Sequence, residues 1–235
     1  SLPLDSTDNN SDLYFDRYSR FGASGLAGVW AEENTRESIY DAMRRKETFG
    51  TSGPRLKIRF FAGHDLPLVD DDDLIAKSYS NGVSMGGNLI AEDTQPFAFI
   101  AWAAKDPNSA PLQRLQIVKG WVDAGQAHER VYDVACADGL EVDSLTHRCP
   151  GNGATVDLTD CRVSSGVGAA EIKANWEDPE YDSTQHAFYY VRAIENPTCR
   201  WSTWDAVRAG ISPREDIPAT IQERGWSSPI WISPK

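Results

Sequence analysis

From Arg55 onward apolar residues fall on every second position: Leu56, Ile58 and Phe60 alternate with Arg55, Lys57 and Arg59, the pattern of a half-buried strand. Residues 97–104 are apolar on both faces, which predicts a central strand covered on both sides. Further strands are predicted at 114–121, 130–136, 187–194, 220–224 and 229–232, separated by turn clusters such as Lys105-Asp106-Pro107-Asn108 and Asp123-Ala124-Gly125. Helical spacing is confined to two short stretches. Asn34 reads as an N-cap with Glu37 three positions on, and Ile39, Tyr40, Ala42 and Met43 then recur at helical spacing, predicting a helix over 35–46. Arg44, Arg45 and Lys46 complement the dipole in its last turn, and Gly50 with Ser52-Gly53-Pro54 bars its continuation. A second short helix is expected at 202–209, with Gly210 as its stop. Many short strands and few helical patterns predict a mainly β chain, a β-sandwich with long loops. Residues 1–24, rich in Ser, Asp and Asn around Tyr14, Phe15, Tyr18 and Phe21, read as a loop anchored by aromatics. There is no internal repeat.

Composition narrows the classes. The chain has 235 residues, 40% hydrophobic and 25% charged, an ordinary globular balance in which no apolar run approaches the ~20 residues of a membrane span. Its formal charge of −12 argues against nucleic acid, whose binders need a basic footprint. The charge is uneven. Residues 1–62 hold 9 acidic and 9 basic groups, so the later residues carry the whole excess, which suggests two units, divided at 1–53 and 54–235. The first methionine is Met43, inside the predicted helix, so Ser1 reads as the start of a processed or excised chain.

Four cysteines, Cys136, Cys149, Cys161 and Cys199, lack the Cys-x-x-Cys pairs of a zinc ribbon, and the interval 137–160 is rich in Gly, Asp and Pro. An even count in an acidic, loop-rich chain favours disulfides and an oxidising compartment over metal; the alternative is four buried thiols. Of three connectivities, Cys136–Cys149 with Cys161–Cys199 is preferred. The first closes a local loop, worth roughly 3 kcal/mol by chain entropy, and the second ties a loop to the strand ending near Glu195.

Other candidates are weaker. His64, His128, His147 and His186 show no metal-ligand spacing and read as surface or loop residues. The run Asp70-Asp71-Asp72-Asp73 reads as a solvated tip, whereas Asp178, Glu180 and Asp182 alternate as the carboxylates of a Ca²⁺ loop do. The glycine-rich stretches at 22–28 and 82–87 match no phosphate-binding fingerprint and read as bulges or turns. Glu32, Glu33, Asn34 and Arg36 stand at a helix start, where carboxylates beside a guanidinium line an anion or metal site or serve only the dipole. No Gly-x-Ser-x-Gly elbow supports a serine triad.

Five longer strings become informative together. They are Gly25-Leu26-Ala27-Gly28-Val29-Trp30-Ala31-Glu32-Glu33-Asn34-Thr35-Arg36-Glu37, Thr51-Ser52-Gly53-Pro54-Arg55, Gln116-Ile117-Val118-Lys119-Gly120-Trp121, Ala187-Phe188-Tyr189-Tyr190-Val191-Arg192 and Thr220-Ile221-Gln222-Glu223-Arg224-Gly225-Trp226-Ser227-Ser228-Pro229-Ile230-Trp231. Collectively they resemble the C-terminal part of a large bacterial family of unknown function. Its full-length members look like PHP-type (polymerase and histidinol phosphatase) metal-dependent phosphoesterases.

The resemblance implies that residues 32–54 are the closing helix and final turn of a PHP-like α/β metal-binding domain, a short helical remnant preceding its appended β-domain. The family's Asp-x-His and other histidine motifs cannot be placed on this sequence. The implied role is therefore structural or substrate-shaping, within an exported, periplasmic or secreted hydrolase whose divalent metal ions sit in a missing N-terminal portion. That reading expects no cofactor in this chain and an unknown small-molecule substrate, with Glu32, Glu33, Asn34 and Arg36 near it. A rival reading is a carbohydrate- or protein-binding module built on exposed members of the eight Trp. Trp102, Trp121, Trp176 and Trp231 are expected in the core, and exposure of Trp201, Trp204 and Trp226 would favour the rival.

Overall fold

The computed structural model describes residues 21–92 and 94–235. The aromatic-anchored loop read at 1–24 lies, up to residue 20, outside the described residues.

The described residues are mainly β, with three short helices, α1 (Arg36–Arg44), α2 (Leu74–Asn81) and α3 (Trp201–Ala209). Its large sheet is organised around β12 (Ala187–Cys199). One edge of β12 pairs with β7 (Leu112–Asp123), which pairs in turn with β8 (Gln126–Cys136). The other edge is shared. Its first residues meet β14 (Ile230–Pro234) and then β5 (Asn88–Ala91), while its later residues meet β13 (Thr220–Ser227), β2 (Thr48–Thr51) and β1 (Leu26–Val29). All these pairings are antiparallel except β14 with β5. The small sheet runs β11 (Glu171–Glu177), β6 (Ala98–Ala104), β3 (Lys57–Gly63) and β4 (Val83–Ser84), antiparallel throughout. A minimal hairpin of β9 (Val156–Asp157) and β10 (Arg162–Val163) decorates the long loop between β8 and β11.

Alternation explains how the sheets meet. Along β12, Ala187, Tyr189, Val191 and Ala193 point inward and join Ile58 and Phe60 of β3 and Phe99 and Ala101 of β6 in one buried cluster. The opposite face of β6 is covered too: Ile100 and Phe61 pack on Leu74 of α2. That second cover accounts for the unbroken apolar run at 97–104, since a strand buried on both faces has no polar side.

Several boundaries move. The N-cap of α1 is Thr35, not Asn34; its side chain accepts the Ser38 N–H at 3.3 Å, so Glu37 stands one position too early for a capping box. Helix α1 ends at Arg44 because Lys46 turns left-handed (φ 60°) and Thr48 enters β2. Gly28 lies in β1 rather than in a turn, and a Cβ there would fall 2.2 Å from the Phe49 ring that crosses it. The solvated tip read at Asp70–Asp73 is an exposed turn that leads into α2, where the Asp71 carboxylate accepts from Lys77 Nζ at 2.7 Å and from the Asp73 N–H at 2.8 Å. Helix α3 begins at Trp201 and stops at Gly210, which is left-handed as a C-cap requires. No helix among the described residues is long and apolar enough to cross a membrane.

Candidate functional site

The start of α1 presents Glu32, Glu33, Asn34 and Arg36 to solvent. The turn that carries them is held in place by neighbours. Thr35 caps the helix, and Ser38 Oγ accepts the Glu33 N–H at 3.1 Å, so backbone donors on both sides of the cap are satisfied. Trp30, just upstream, donates its indole N–H to the Ile58 carbonyl at 2.7 Å and lies 3.7 Å beneath the Arg59 guanidinium. The exposed charges therefore project from a helix start anchored to β3.

At the other end of α1 lies a hub that no sequence pattern marks. Glu47 is buried, and its carboxylate accepts from the Tyr79 hydroxyl and from Ser84 Oγ at 2.9 Å and pairs with Arg45 at 3.5 Å. Burial and the Glu47 bond raise the Tyr79 pKa, keeping the phenol a donor. Its partners come from 32 and 37 positions away, a separation that local spacing does not reveal.

Asp178, Glu180 and Asp182 do not share a centre. Asp178 is buried and accepts from Lys119 Nζ at 2.5 Å and Tyr189 Oη at 2.7 Å. Glu180 accepts from Arg130 and from the Tyr132 hydroxyl at 3.0 Å, while Asp182 caps its own turn by accepting the Thr184 N–H at 2.9 Å. Burial and then the Asp178 charge raise the pKa values of Tyr132 and Tyr189, so both phenols stay protonated in this network. An ammonium stands where the alternating pattern suggested a cation.

A third polar cluster sits at a β-bulge in β12. The register shifts between Ile194 and Pro197, next to Glu195, which continues the inward parity of Ala187 to Ala193 and is fully buried. Its Oε2 accepts from Ser109 Oγ at 2.5 Å, and its Oε1 has no hydrogen-bond partner. Burial, reinforced by Glu223 and Asp106 and opposed by Ser109 and Lys105, pushes its pKa up to about 7. Beside it Asn196 accepts from Asn152 at 2.9 Å and donates to the Val167 carbonyl at 3.0 Å, closing this end of the molecule.

The cysteines form two bridges. Cys136 bonds Cys149 and Cys161 bonds Cys199, the latter tying the β9–β10 hairpin to the end of β12, and no free cysteine remains. Two disulfides fit an oxidising extracellular environment. The histidines stand apart, three of them against rings: His64 on Phe97, His128 on Trp121 and His147 on Tyr132. Among the described residues no three His, Cys, Asp or Glu side chains are placed to hold a metal ion together. The donor set of the described residues does not fit a resident transition metal, and no metal-assisted step is assigned to it. Trp121 and Trp176 pack against the core and Trp102 over α2. Trp231 does not. It is 44% exposed, because Ile230 and Ile232 take the inward positions of β14. Trp201 and Trp226 are half-buried, and Trp204 is exposed.

These features describe a mainly β, two-disulfide domain with charged groups at one helix start. Residues 3–234 match a family described as a protein of unknown function, DUF3604, and the chain belongs to that family. No curated protein and no solved structure matches it.

Proposed function

We propose that this chain is the β-sandwich part of an exported, PHP-like metal-dependent hydrolase acting on a phosphoester, and that its own role is to shape the substrate site. In this reading Glu32, Glu33, Asn34 and Arg36 face the substrate, α1 is the closing helix of the metal-binding domain, and divalent ions are held by residues outside this chain. The observation that carries it is the solvent-facing Arg36 and its neighbouring carboxylates on a helix start fixed by Thr35, Ser38 and Trp30. The first-turn N–H groups of a helix and a guanidinium together favour a phosphate-bearing ligand. Among the described residues the edge strand β1, directly before this turn, pairs on one side with β2, and a neighbouring domain can rest on its other side. The disulfides agree with export, and the periplasm is the proposed location.

The test is Arg36→Ala in the full-length protein. Its turnover of phosphoester substrates is expected to fall at least tenfold while its melting temperature is unchanged. Unchanged kinetics would reduce the cluster to helix capping.

A further inference from the structure

The face of the large sheet turned away from the core carries a row of side chains that alternation points outward, with Phe188 half-buried and Trp231 exposed. At the level of Gly120 on β7, Phe188 of β12, Trp231 of β14 and Asn88 of β5 stand side by side across successive strands. One pleat further, Val122 and Ile90 close the two ends of the row, 54% and 59% exposed. Phe188 and Trp231 touch, with ring centroids 5.0 Å apart. Phe188 lies flat on the sheet because position 120 is glycine: a Cβ there would sit 2.3 Å from its ring. Asn88 and His186 border the rings, exposed and without a side-chain hydrogen bond among the described residues.

We infer that this row is a binding platform for a neutral glycan, stacked on Trp231 and Phe188 and hydrogen-bonded by Asn88 and His186. The inference rests on the binding-module reading and stands apart from the hydrolase proposal. Three observations select the occupant. Aromatic faces beside open hydrogen-bonding groups suit a ligand that is apolar on its ring face and polar at its edge. The row crosses three strand spacings, about 14 Å, long enough for a short oligosaccharide. The outward Glu129 opposite Gly120 opposes an anionic ligand at this row, and a neutral polyol escapes that repulsion.

The experiment titrates the 235-residue chain with cellohexaose, maltohexaose and chitohexaose by calorimetry, alongside Trp231→Ala and Leu145→Ala. Leu145 is an exposed apolar residue in the loop between β8 and β9, outside the row. Saturable binding of at least one hexasaccharide is expected, with Kd raised at least tenfold by Trp231→Ala and unchanged by Leu145→Ala, the melting temperatures of both variants matching the parent. No saturable binding of any of the three overturns the platform, as does equal binding by Trp231→Ala. Self-association removed by Trp231→Ala, without glycan binding, would make the row an interface between copies instead. Because Arg36 is not in the row, a failure here leaves the turnover test of Arg36→Ala untouched, and the reverse holds as well.

Discussion

Two buried carboxylates meet β12 at opposite ends, and the chain treats them differently. Near its start Asp178 receives an ammonium and a phenol, Lys119 and Tyr189, the latter a residue of β12 itself. Near its end Glu195 receives one serine hydroxyl and leaves its second oxygen unpartnered. Burial is nearly complete at both positions. What differs is the partner. A buried charge persists where an opposite charge and directed hydrogen bonds replace water, and where they are missing the group takes up a proton. The Glu195 end is secured by other means: the Cys161–Cys199 bridge lies four residues on, and Asn196 ties two loops to the bulge.

The comparison breaks most visibly at Lys119. Replacing it with Met leaves Asp178 buried without its cation, and a loss of about 3–5 kcal/mol in denaturant-measured stability is expected. A loss below 1 kcal/mol would show that Tyr189 and the Glu180 N–H suffice for that carboxylate. At the other end the covalent tie should dominate. Cys161→Ser with Cys199→Ser removes a 38-residue crosslink and should cost roughly 4 kcal/mol, against roughly 3 for the 13-residue Cys136–Cys149 loop. Equal losses from the two pairs would argue that loop length does not set their contribution.

Glu195 gives the pH dependence. Its folded pKa, about 7, lies above the ordinary value of 4.5, so between these values the folded chain holds a proton that the unfolded chain has released. The stabilising contribution is fully present below pH 4.5 and is lost as pH rises through 7, by up to about 3 kcal/mol. Urea midpoints from pH 5 to 8 should fall accordingly, and Glu195→Gln should flatten that fall. A parallel decline in the variant would assign the pH dependence to other groups. The smallest effect belongs to the helix cap: Thr35→Ala should cost about 1 kcal/mol, whereas Asn34→Ala should cost close to nothing if Thr35 is the cap.

Much of the large sheet can be read from alternation, and the reason is visible in β12: Tyr189, Val191 and Ala193 face the core while Phe188, Tyr190 and Arg192 do not. Strands β1 and β2 escape notice because Gly28 and Gly50 dilute their pattern, and Gly28 is required by a ring that comes from the next strand. Helix α2 is hidden by its eight-residue length and by the aspartates before it. Ile172, Ala174 and Trp176 of β11 do alternate, and only their setting inside a loop-rich stretch disguised them.

The site residues divide in the same way. Glu32, Glu33, Asn34 and Arg36 are legible because a helix start is a local event. The Glu47, Lys119–Asp178 and Glu195 clusters join residues far apart in sequence; parity along β12 places Glu195 inward, but its Ser109 partner lies 86 positions away. Such contacts depend on register, which periodicity alone does not fix.

We propose that this chain shapes a hydrolase site whose metal chemistry belongs to residues outside it. Metal content and phosphoesterase turnover, measured on the full-length protein and on this 235-residue chain side by side, test it most directly. The account predicts stoichiometric divalent metal and turnover in the full-length protein and neither in this chain. Zinc, manganese or iron bound stoichiometrically by this chain alone, together with turnover, would contradict it.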